Sequence, residues 1–147
     1  MKLPIVLTTL LFTASPVFAD ASLYLKCTGT IDFKQIDLAE MRVVDEESQG
    51  NVVYYEIDLN NNLLTDSDDP ENPSAVKIQN GMIFSQISGY SKGAMSVQFV
   101  DTQIAFDPPG RITGRSIIRA NDNSFEVIAD LSGRCEASDA SAYEASK

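Results

Sequence analysis

Two segments at opposite ends of the chain carry the same alternating pattern. In "LYLKCTGTIDF", residues 23–33, one side of a strand would carry Leu23, Leu25, Cys27, Gly29, Ile31 and Phe33. In "FEVIADLSGRC", residues 125–135, one side would carry Phe125, Val127, Ala129, Leu131, Gly133 and Cys135. Successive side chains of a strand point to opposite faces, so each cysteine shares the apolar face of its strand and both thiols are expected to point inward. These are the chain's two cysteines. Joined, they close a loop of about a hundred residues, and a disulfide cannot bridge Cα atoms more than about 7 Å apart. The first and last strands must then lie side by side or face each other across a core. An antiparallel meander closed or nearly closed in this way hides its edges. The expected fold is all-β: a meander forming a small barrel or sandwich, its terminal strands joined by Cys27–Cys135.

The intervening chain supplies the other strands. "VVYYEIDL" alternates Val53, Tyr55, Ile57 and Leu59 against Glu56 and Asp58. "AVKIQNGMIF" holds Asn80-Gly81 between apolar runs, a hairpin signal because both residues tolerate positive φ. "AMSVQFV" alternates through Met95, Val97 and Phe99, and "TQIAF", "DPPGRITG" and "RSIIRA" read as strand, turn and strand. "NDN" at 121–123 makes a further turn. "DLAEMRVVDEE", 37–47, stays open: Asp37 with Glu40 suits a helix capping box, while Val43 and Val44 suit a strand.

The chain opens "MKLPIVLTTLLFTASPVFAD", with Lys2 before an apolar run and small residues Val17 and Ala19 before a cut. This is the layout of a secretory signal peptide. Three segments follow: a signal peptide over 1–19, one β domain over 20–136, and a disordered tail over 137–147, whose "ASDASAYEASK" has little to bury. An exported product, periplasmic or secreted, suits a disulfide. The chain has 11 Lys and Arg against 21 Asp and Glu, a net charge of −10. Such a balance argues against nucleic acid and against anionic membranes once the leader is cut, and favours a cationic protein if there is a partner. A monomer is expected.

Histidine is absent from the sequence, which removes Ser-His-Asp and Cys-His catalysis and imidazole zinc sites. "SAVK", Ser74 to Lys77, has the S-x-x-K spacing of penicillin-binding enzymes without their other motifs. "DLNNNLLTDSDD", 58–69, spaces Asp58, Asn60, Asn62, Asp66 and Asp69 like calcium-loop ligands. Its sixth position is Leu63 rather than Gly, its twelfth is Asp rather than Glu, and a strand precedes it. A turn at Asn60–Asn62 explains the same residues. No catalytic residue, cofactor or metal ligand is assigned, and a non-enzymatic protein is expected.

The motifs "C-x-G" at 27–29, "YEIDL" at 55–59, "GMIF" at 81–84, "GRITG" at 110–114 and "GRC" at 133–135 resemble those of small exported bacterial β-proteins of unknown function bracketed by a cysteine pair. "SGYSKG", 88–93, is similar to a compressed form of the Ser-Gly-x-x-Tyr and Lys-Gly elements of membrane-bound inhibitors of animal (c) type lysozyme. That resemblance implies a disulfide-linked β-barrel with Ser88, Gly89, Tyr90, Lys92 and Gly93 contacting the partner, and an acidic body suits a cationic lysozyme. The first expectation for function is therefore an exported, non-enzymatic β-domain binding module. The alternatives are an inhibitor of a cationic lysozyme-type hydrolase and a calcium-binding β protein.

Overall fold

The structure, a computed structural model, describes residues 22–147. The expected signal peptide lies outside the described residues. Ten strands form one antiparallel sheet: β1 (Ser22–Asp37), β2 (Arg42–Asp58), β3 (Leu63–Asp66), β4 (Ser74–Ala75), β5 (Lys77–Gln79), β6 (Met82–Ile87), β7 (Tyr90–Lys92), β8 (Met95–Phe106), β9 (Pro109–Ala120) and β10 (Phe125–Ser138). A short helix, α1 (Ala140–Ala145), follows. The spatial order is β4-β3-β2-β1-β10-β9-β8-β6-β5, with β7 beside β8. The two edges, β4 and β5, are consecutive in the chain, joined through Val76, whose N–H donates to Asn62 O at 2.9 Å. The sheet is thus a nearly closed antiparallel barrel.

The turns follow local chemistry. Asn80 and Gly81 both have positive φ, 53° and 73°, and reverse β5 into β6. Asp58 accepts hydrogen bonds from the N–H groups of Asn60 and Asn61, both at 3.0 Å, and Asn62 takes φ 54° before β3 begins. The open stretch 37–47 resolves as a strand end, a turn and a strand start. Asp37 accepts from the N–H groups of Ala39 and Glu40 as it would at a helix start, but Met41 at φ 50° turns the chain into β2. Between β8 and β9 the turn is confined to Asp107 and Pro108, so "GRITG" belongs to β9 and not to the turn.

Cys27 and Cys135 sit directly opposite each other in the β1–β10 register and are bonded, with Cα atoms 4.0 Å apart. Of the two arrangements left open, the terminal strands are side by side. The next inward pair along the same register is Gly29 and Gly133. A Cβ on Gly29 would lie 2.4 Å from Ser132 O, and one on Gly133 would lie 2.4 Å from Thr28 O. The backbones approach too closely there for any side chain.

Around the disulfide lies the core: Leu25, Val53, Ile57, Leu64, Ile83, Ile104, Phe106 and Ile112. The outer face carries directly opposed ion pairs, Lys26–Glu136, Lys34–Glu46, Arg115–Asp130 and Arg119–Glu126. Each contributes only a few tenths of a kcal/mol to about 1 kcal/mol. Together they set which face of the sheet meets water, since a one-residue slip would turn the charges inward.

The C-terminal segment corrects an expectation. Residues 137–147 are not a disordered tail. β10 continues to Ser138, Asp139 caps α1 by accepting from Ala142 N–H at 2.8 Å, and Tyr143 is buried against Tyr24 with ring centroids 5.7 Å apart. One aromatic anchor and one cap, set in an Ala- and Ser-rich stretch, are enough to dock it. Among the described residues no helix is long and apolar enough to cross a membrane.

Candidate functional site

Only one end of the sheet is closed. Strand β3 covers β2 at Tyr55–Asp58, and β5 covers β6 at Met82–Phe84. Beyond those points β1, β2, β8, β9 and β10 run on together, and the inner face opens as a trough. Its floor comes from the alternation read in the terminal strands. Ile31 and Phe33 of β1, Ala129 and Leu131 of β10, and Val100 of β8 line a cavity of about 230 Å³. These residues share a face with Leu25 and Ile57, which are 2% and 0% exposed, yet all of them are only half-buried. The face was read correctly from the sequence; it is covered at the closed end and again at Val97 and Ala120, and the floor between them is half-open.

One rim is β2. Through its register with β1, Asp45 faces Gln35, Glu47 faces Phe33, Gln49 faces Ile31 and Asn51 faces Gly29, so all four point to the trough side. Phe33, Gln35, Asp45, Glu47 and Val127 line a second concavity of about 160 Å³. Glu46 pairs with Lys34 and Glu40 with Arg42, whereas Asp45 and Glu47 have no ion-pair partner among the described residues. These rim residues were missed because residues 37–51 were not assigned to a strand. The signal was their shared parity with Val53.

The other rim holds the "SGYSKG" residues. Ser88 is exposed, and Gly89 turns at φ 73° while its N–H donates to Val97 O at 3.1 Å. Tyr90, 46% exposed, opposes Val97, and Lys92 opposes Met95. Gly93, at φ 61°, closes the hairpin, and its carbonyl accepts from the Asn121 amide at 3.0 Å. The stretch is therefore an ordered edge hairpin whose Tyr90 faces the trough side with Val97.

The remaining candidate chemistry is absorbed by the fold. The Asp58 carboxylate serves its turn, and hydrogen bonds from the Asn61 side chain and backbone hold it below the usual carboxylate range. Asp122 is held low in the same way by the hydroxyl and N–H of Ser124. A carboxylate whose folded pKa is depressed adds stability above its unfolded pKa and loses it as pH falls through the folded value. Both turns are expected to hold until the pH drops below about 4. Carboxyl-carbon NMR titration should place both groups lower than a peptide aspartate. Burial, then Asp66 and Asp68, raises the Tyr55 phenol, which stays neutral. Among the described residues no group of three His, Cys, Asp or Glu could hold a metal ion.

Comparison with known proteins finds no matching family model, no matching curated protein and no matching solved structure. The functional reading rests on the geometry of the trough.

Proposed function

We propose that the protein is an exported, non-enzymatic binding module, periplasmic or secreted, whose trough receives a cationic partner. The observation that carries the reading is the half-open apolar floor between two sheet edges, with Asp45 and Glu47, which have no ion-pair partner among the described residues, on its rim. Apolar floors flanked by polar rims are the usual anatomy of protein recognition surfaces. The buried disulfide supports an oxidising compartment, as does the leader-like start of the chain. Expressed in a bacterial host, the periplasmic product is expected to begin at Asp20, read by intact mass. Methyl NMR tests the trough. A cationic protein such as a lysozyme should shift Ile31, Val100, Val127 and Leu131 while leaving Ile57 and Ile104 still, and an acidic protein of similar size should shift none. Equal responses to both proteins, or none at the trough, would refute the reading.

A second reading is inhibition of a cationic lysozyme-type hydrolase. It is favoured by the position of Ser88–Gly93 at the trough's far edge, where a bound partner would meet both rims. Under it, Ser88→Ala and Lys92→Ala should each abolish inhibition.

A further inference from the structure

We propose that β2 accepts an additional strand: a cationic extended peptide segment, alternating basic and apolar residues, pairs with its free edge and lays its basic side chains along the trough side. This rests on the trough-binding reading and names how the partner is held.

The main chain of β2 carries the argument. Tyr54 turns its backbone away from β1, since its carbonyl accepts from Ser67 N–H at 2.8 Å and its N–H donates to the Ser67 hydroxyl at 3.2 Å. In an antiparallel ladder alternate residues direct both groups to the same side. Val52, Gly50, Ser48 and Glu46 therefore present N–H and C=O outward, where no described strand pairs with them. Beyond the hairpin tip, residues 45–53 span roughly 30 Å of regular open edge. Long edges are ordinarily blunted by charges, proline or bulges, and here the inward-facing Asp45 and Glu47 repel a like-charged strand rather than a basic one. This edge has neither lysine nor proline, and its bulge, where Gln35 pairs with Asp45 and Ile36 with Val43 so that Val44 is left over, lies near the hairpin tip. It is a template with its polar groups aligned.

The trough sets what the incoming strand carries. A strand beside β2 continues the inner face, so every second side chain lies on the trough side, next to Asp45, Glu47, Gln49 and Asn51. Basic residues suit the neighbourhood of Asp45 and Glu47, which have no ion-pair partner among the described residues. In the register centred on Glu46 the same charges disfavour a second copy of this chain. Antiparallel pairing of β2 with itself about Glu46 would set Asp45 against Glu47 of the other copy, in a protein already at −10.

The test uses the oxidised protein and a capped ten-residue peptide of alternating Lys and Val. Amide exchange read by NMR is expected to slow by about tenfold or more at Glu46, Ser48, Gly50 and Val52, and to stay unchanged at Glu47, Gln49 and Asn51, which face β1. N-methylating alternate peptide residues, or replacing Lys with Glu, should weaken binding by about tenfold. Gly50→Pro removes an outward donor without touching the β1 ladder, and a Cβ there meets nothing within 4 Å. It too should weaken binding. Should that variant misfold, the N-methylated peptide on the unaltered protein decides. Floor methyls that respond without the alternating amide pattern would overturn strand addition and leave the trough reading standing. Silence of both would sink both. Protection already present without peptide, in a dimer seen by sedimentation, would make the occupant a second copy and overturn the proposal.

Discussion

Replacing both cysteines, Cys27→Ala with Cys135→Ala, is expected to lower stability by about 2–5 kcal/mol. The two residues are 108 apart in sequence and directly opposed in register, and they are 2% and 7% exposed. Most other neighbours in the sheet are joined by short turns, whereas β1 and β10 bring the two ends of the described chain together. That pairing carries the largest loop-closure cost, and the bond cancels it in the unfolded chain. In the chain-entropy model a loop of this length corresponds to about 4.7 kcal/mol. Losing two sulfurs from a packed core acts in the same direction. Urea denaturation of the oxidised protein and the double variant should show the midpoint fall, and refolding should slow because the β1–β10 contact must form by diffusion. An unchanged midpoint would mean that the bond contributes nothing beyond the pairing it joins.

The second large effect is at Ile57. It is fully buried at the closed end, opposite Leu64 of β3. Ile57→Ala is expected to cost about 2–5 kcal/mol, because neighbours held in a continuous sheet cannot collapse into the space left. Phe33→Ala is the counterpart on the trough floor. Phe33 is only half-buried, so the stability loss should be clearly smaller while the cationic probe binds more weakly. Chemical denaturation and peptide titration on both variants separate the two ends of the sheet. Equal destabilisation would mean that the trough floor belongs to the folding core.

The strands and the disulfide could be read from the chain because they depend on local order. A period of two places Cys27 with Leu25 and Cys135 with Leu131 whatever the rest of the chain does. Asn80-Gly81 turns because both residues tolerate positive φ, and it does so in the structure. The C-terminal segment was misread because its composition is dominated by Ala and Ser, while one residue, Tyr143, decides whether it docks.

The rim of the candidate site was harder to see. Val43, Val44 and the acids that follow look equally like a helix end or a strand, and only pairing with β1 chooses between them. The chain by itself determined which residues share a face: Ile31, Phe33, Val127, Ala129 and Leu131 lie on the same side as the cysteines because alternation is a property of each strand alone. Whether that face is covered was decided by tertiary structure. β3 and β5 end early, so the face is a sealed core around Cys27 and Ile57 and an open trough around Phe33. Burial depends on which strands run alongside and for how long, and no single strand's sequence contains that information.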